Sequence, residues 1–243
     1  MIMRRFFIDC MAGLAMAYQA HGQQENADAA LENLFQYCHG VDDVGALALA
    51  SSCQRRLQLP STPAGGVDMT QPFPDDATVP TENMFFWLEV PAITRCRELM
   101  AMGNVAGFRE AEKRLRALLE FKEARHNRCQ AIQITPLLAL SVHRQGRADE
   151  SLEILEKGIR LGEPGGWIRP FVETGPSMVE LLEQLQVMVE SLAETDARIE
   201  QDAAGVDPGL QRLVAAVAKF VEHIEHDIGI VAALVKIVAL ARR

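Results

Sequence analysis

His223 and His226 stand three residues apart beside Glu222, Glu225 and Asp227, a spacing that on a helix brings two imidazoles to one face where they could share a metal ion. The pattern supplies no third ligand, so a solvated helix face is the reading and no metal is expected. Cys38-His39 raises the question of an activated thiol, but neighbouring residues on a helix point about 100° apart, and nucleophilic catalysis needs a base within hydrogen-bond reach. Ser51-Ser52 and Ser177 have no nucleophile elbow or triad around them. The phosphate-cradling pattern G-x-x-x-x-G-K-[ST] is missing as well, which argues against ATP hydrolysis. The chain is therefore read as a non-enzyme with no catalytic residue and no cofactor.

Side chains suited to binding remain. Trp87, Arg95, Arg97, His143, Trp167 and Arg169 combine aromatic platforms with forked or ring donors, the groups a sugar or other small polar ligand would need. Structural uses compete for the same residues. Large aromatics mostly fill gaps in packing, and Arg169 could bond the carboxyl end of a preceding helix.

The frame that must hold these groups is helical. Three apolar helical stretches end in glycine, at Gly22, Gly103 and Gly146, and an Ala/Leu/Glu-rich stretch comes after each. Gly103 and Gly146 are 43 residues apart, and an unmarked junction near Leu59-Pro60-Ser61 would bring the whole chain close to that period. Stacked helix pairs are expected. Phe7, Cys10, Met11, Leu14, Ala17 and Tyr18 recur at three and four residues, as do Ala27, Ala30, Leu31, Leu34, Phe35 and Cys38, giving a first hairpin. A third helix capped by Asp42 or Asp43 must stop by Pro60. Residues 60–80 hold five prolines and Gly65-Gly66, an irregular crossing. Pro91 then opens a helix carrying Ile93, Cys96, Leu99 and Met100, whose partner carries Phe108, Ala111, Leu115, Leu118 and Leu119. A further pair spans 128–145, with a candidate kink at Pro136, and 147–161. A fresh helix from Pro176 carries Met178, Leu181, Leu182, Leu185, Val189 and Leu192.

Of the 243 residues 49% are hydrophobic, 23% charged and only 6% aromatic, which suits a continuous helical core and not a large sheet. No stretch approaches the roughly 18 apolar residues of a membrane span, and Met1-Ile2-Met3-Arg4-Arg5 leads into an amphipathic pattern instead of a signal-peptide block; a cytoplasmic protein is expected. The five cysteines fall singly, without a C-x-x-C pair, and read as buried reduced thiols. The net charge of −9 is unevenly spread, at −7 over residues 1–91, +4 over 92–170 and −6 over 171–243. Only the middle is basic, and there Arg109, Glu110, Glu112, Lys113, Arg114 and Arg116 interleave as ion pairs, so this chain alone is not expected to bind nucleic acid.

From Asp207-Pro208 a stripe of Leu213, Val217, Phe220, Ile224, Ile228, Val231, Leu234 and Val238 points to a long C-terminal helix. Its end, 230–241, is apolar on several faces yet too short to span a bilayer. Packing back on the array is favoured over a homodimer contact, because the end unit of an array must cover its open face.

Several runs resemble a known family: Gly22 through Leu34, Leu88-Glu89-Val90-Pro91-Ala92-Ile93-Thr94-Arg95-Cys96-Arg97, Gln145-Gly146-Arg147-Ala148-Asp149-Glu150-Ser151-Leu152, and above all Glu163-Pro164-Gly165-Gly166-Trp167-Ile168-Arg169-Pro170-Phe171-Val172-Glu173-Thr174-Gly175-Pro176-Ser177-Met178. Over residues 7–190 the chain is similar to the helical-repeat sensor region of large ATP-binding LuxR-type transcriptional regulators, the class containing the maltotriose-responsive activator of maltose genes. The resemblance implies an all-α, tetratricopeptide-like superhelical array of antiparallel helix pairs, placed at 1–172 by the helix pattern above; the helical extension expected over 173–243 rests on its own apolar stripe, because the resemblance runs out in the C-terminal tail. It also implies that the superhelix receives an inducer, between an NTPase module and a helix-turn-helix module that have no counterpart motifs here.

Two functions are expected in turn. One is an effector-sensing module whose concave groove takes a small molecule or a protein partner; the other is a constitutive scaffold that holds a peptide or helix.

Overall fold

The computed structural model describes residues 2–41, 44–59, 89–175 and 177–188. They form helices throughout, and no strand occurs among them. Asp42 and Asp43, Trp87, the Pro-rich crossing 60–80, the His223/His226 pair and the C-terminal stripe lie outside the described residues. The chain divides into two compact units, Met1–Gln130 and Ala131–Arg243.

The first unit holds α1 (Ile2–Ala20), α2 (Gln24–Gly40), α3 (Val44–Gln58), α4 (Pro91–Ala101) and α5 (Val105–Glu123), and the boundary falls in the first turn of α6 (Arg128–His143). In the second, α7 (Ala148–Gly162) comes after α6, then a 3-10 turn at Glu163–Gly165, α8 (Arg169–Val172) and α9 over 177–188. Helix α1 packs on its partner α2 and also on α3, the helix after that pair. That arrangement is the one found in a tetratricopeptide-like array of antiparallel helix pairs.

The glycines expected at the hairpin turns adopt the left-handed conformation, with φ of 69° at Gly22, 68° at Gly103 and 80° at Gly146. At Gly22 the turn closes as a Schellman motif: the Gln23 amide donates to the Tyr18 carbonyl at 2.9 Å and the Gly22 amide to Gln19 at 2.9 Å. The same pair of bonds recurs after α5, from Asn127 to Lys122 and from His126 to Glu123, but there the left-handed residue is His126, φ 56°. A side chain in that conformation costs roughly 1–2 kcal/mol, and with no glycine to mark it the sequence hides this junction.

Most apolar stripes lie where their spacing put them. Ala27, Ala30, Leu34 and Cys38 of α2 are buried, as are Ile93, Cys96 and Leu99 of α4 and Leu152, Leu155 and Ile159 of α7. Helix α1 is a correction. Its buried face is Ile8, Ala12 and Ala15, while Phe7 and Leu14 are each 41% exposed and Cys10 is exposed too. Because α1 meets both α2 and α3, its inner face needs small residues that let the backbones approach, so the bulky ones move to the flank, where Phe7 meets the ring of Tyr37 at 4.2 Å. Of the five thiols, Cys38, Cys53 and Cys96 are buried as expected and Cys129 is half-buried.

Close approach is sharpest between α4 and α5. Asn104 caps α5 by accepting from the Gly107 amide at 2.7 Å, and a Cβ at Gly107 would overlap the Leu99 carbonyl oxygen. Alanine at a helical glycine ordinarily gains 0.5–1 kcal/mol or so, whereas overpacking against backbone costs about 1–3 kcal/mol. The clash should win. Gly107→Ala is therefore expected to lower stability by about 1–2 kcal/mol in urea unfolding, and a stabilised variant would contradict the α4–α5 packing.

Candidate functional site

The run Leu88 to Arg97 ends an apolar stretch in a glutamate, and Pro91 at the first turn of α4 fixes where the helix starts. Glu89 thereby enters the interior of the first unit, 1% exposed. A carboxylate so placed is tolerable only if it is fully hydrogen-bonded. Around it the structure supplies donors from two helices. The Ser52 hydroxyl of α3 donates to Oε1 at 2.5 Å, the Thr94 hydroxyl of α4 donates to the same oxygen at 2.7 Å, and Arg56 of α3 reaches Oε2 at 3.4 Å. The backbone is held as well: the Glu89 amide donates to Asp9 Oδ1 at 3.1 Å, and Arg5 donates to the Glu89 carbonyl while pairing with Asp9 at 3.7 Å. Further along α4, Glu98, 3% exposed, accepts from Arg55 at 3.3 Å and from Arg95 at 2.8 Å.

This cluster holds α1, α3 and α4 together, and its chemistry is that of a clamp. Burial pushes the Arg5 guanidinium toward lower affinity for its proton, and the charges of Asp9 and Glu89 oppose that loss. Burial, reinforced by Glu89 and Asp9 and countered by Arg56, raises the nearby Cys53 thiol to about 12, so it is not a nucleophile at neutral pH. No group of three or more His, Cys, Asp or Glu suited to a metal occurs among the described residues.

The residues singled out for ligand binding fall in both units. Arg95 and Arg97 are half-buried on α4 in the first unit, and Arg95 is committed to Glu98. In the second unit Arg169 is exposed and donates to Glu173 Oε1 at 2.5 Å, the residue capping the carboxyl end of its own short helix and not that of a preceding one. Trp167 is half-buried: its amide donates to the Gly162 carbonyl at 3.0 Å, and its indole lies so close to Gly165 that a Cβ there would stand 2.5 Å from Nε1. His143, at the end of α6, is half-buried, and its Nδ1 is buried with no hydrogen-bond partner among the described residues.

Reasoning from motifs passed over Asp9 and the roles of Ser52 and Glu89. The available signal was a charge set inside the apolar run Phe85-Phe86-Trp87-Leu88-Glu89-Val90, which a surface residue has no reason to occupy.

A buried cation sits on α5. Lys122 is 3% exposed with Nζ 5.3 Å from the Phe121 ring centroid, and burial, then the charge of Arg125, lowers its ammonium from 10.5 to about 8. The folded state thus holds this proton less tightly than the unfolded chain, so the charge costs stability below pH 8 and the cost disappears as pH rises through 8 toward 10.5. The stability of the native chain relative to Lys122→Met is expected to rise over that window; a flat difference across it would contradict the placement.

With the helix pairs and the clamp in view, the kinship is direct. Residues 2–188 match the family described as the MalT-like TPR region, and the chain belongs to that family. No curated protein and no solved structure matches it. Among the described residues no helix is long and apolar enough to cross a membrane.

Proposed function

We propose that this chain is a regulatory, effector-sensing helical region of a LuxR-type transcriptional regulator, acting in the cytoplasm by binding and not by catalysis. The observation that carries the reading is the family match over residues 2–188. Support comes from the side chains. Buried carboxylates are taken up by internal arginines and hydroxyls, and the Cys53 thiol is inert.

In this reading the helical region receives a small polar effector, with Arg95 and Arg97 as candidate contacts in the first unit and His143, Trp167 and Arg169 as candidates in the second. The effector acts only through a difference in affinity between two arrangements of the helices.

A thermal-shift screen against oligosaccharides, aromatic acids and nucleotides tests it. A ligand at a hundred times its Kd stabilises by about 2.7 kcal/mol, which raises Tm by roughly 5–10 °C in a chain of this size. One ligand class giving such a rise is the expected result. A flat screen, together with a defined peptide or helix that does raise Tm, would overturn sensing in favour of a constitutive scaffold.

A further inference from the structure

We propose that the interface between α3 and α4 is the joint at which the first unit opens and closes, and that Glu89 and Glu98 are its positioning residues; the regulatory meaning of that motion rests on the sensing reading above. The observation is a change in the character of packing along the unit. From α1 to α3 the helices share one apolar cluster, in which Ile8, Ala12 and Ala15 meet Ala30, Leu34 and Cys38 of α2 and Ala46, Leu49, Ala50, Cys53 and Leu57 of α3. No residue of α4 belongs to that cluster. What fastens α4 and the two residues that lead into it is polar: Ser52 and Arg56 of α3 to the Glu89 carboxylate, Arg5 and Asp9 of α1 to the Glu89 backbone, and Arg55 of α3 to Glu98.

The two kinds of contact respond differently to separation. Opening an apolar seam exposes surface to water with no compensation, whereas separated carboxylates, guanidiniums and hydroxyls are rehydrated, so a buried ionic seam is worth little net free energy despite its many bonds. Its geometry is nonetheless strict. Glu89 reaches Ser52, Thr94 and Arg56 together in one arrangement only, and Arg55 sits beside Arg95 on Glu98. A joint with one well-defined closed state and a cheaply hydrated open one is the kind of two-state element that a ligand can bias.

Native-state hydrogen exchange on the full chain, without any ligand, tests the joint independently of sensing. The inner amides of α4 and α5 are expected to exchange through an opening that leaves α1 and α2 protected. Glu89→Gln should reduce protection in α4 and α5 by about 10- to 100-fold, the loss expected from weakening hydrogen bonds to a charged group, while α1 and α2 change by less than about 3-fold. Glu98→Gln provides the same reading should the first variant fail to fold, and Leu34→Ala, which cuts into the apolar cluster, should instead lower protection in α1, α2 and α3. Equal loss of protection from α1 through α5 in either glutamine variant would overturn the proposal, because the unit would then open as a single block.

Discussion

Replacing Glu89 by alanine is expected to lower the stability of the first unit by about 3–5 kcal/mol, a large share of the 5–15 kcal/mol or so that holds a typical domain together. The size reflects the groups left behind. Ser52 and Thr94 lose the oxygen they share, half-buried Arg56 loses its carboxylate partner, and Arg5 and Asp9 keep their bonds to the residue-89 backbone while Arg5 loses the nearby negative charge. Glu89→Gln keeps the shape and one acceptor oxygen but removes the charge, so it should cost less, about 1–3 kcal/mol. That order, alanine well below glutamine and glutamine below the native chain, should appear in urea unfolding followed by circular dichroism. Alanine and glutamine variants within 0.5 kcal/mol or so of the native chain would mean that the carboxylate is hydrated and idle.

A comparable loss is expected in the second unit on changing Phe171 to alanine. Phe171 is fully buried, and its ring edge lies 3.6 Å from where a Cβ on Gly158 of α7 would stand. Gly158 is itself pressed against Thr135 of α6, 2.8 Å from Cβ position to methyl, and the Ser151 hydroxyl of α7 donates to the Ala139 carbonyl of α6 at 2.9 Å. The helices leave no slack to refill the space of a ring. Removing it should cost about 3–5 kcal/mol, transfer and cavity terms together. Thermal unfolding checks it, and a variant as stable as the native chain would show that the 163–178 segment does not seal this core.

These two cases show what could be read in advance and what could not. Gly22, Gly103 and Gly146 announced their turns because a left-handed backbone restricts the choice of residue severely, and the α2, α4 and α7 stripes announced their faces because each keeps to one helical period. His126 breaks the first rule by accepting strain, so its junction was silent. Helix α1 breaks the second, since a helix packed on two neighbours buries alanines and leaves Phe7 and Leu14 at its edge. The clamp was harder still. Arg5, Asp9, Ser52, Arg56 and Glu89 are far apart in sequence, Arg5 and Glu89 by 84 residues, and meet only after three helices have packed, so no local spacing relates them. Glu89 was in plain view within a family-like run, but its partners were not. Trp167 and Arg169, chosen for the chemistry of their side chains, are engaged by the fold at Gly162, Gly165 and Glu173.

A double-mutant cycle between Ser52→Ala and Glu89→Gln, read by urea unfolding of the two single variants, the double variant and the native chain, probes the clamp most directly. Two groups in contact inside one network should show a coupling of about 1–3 kcal/mol, so the second change costs far less once the first is made. Additive losses, with coupling below about 0.3 kcal/mol, would contradict the buried carboxylate as the fastening between α3 and α4.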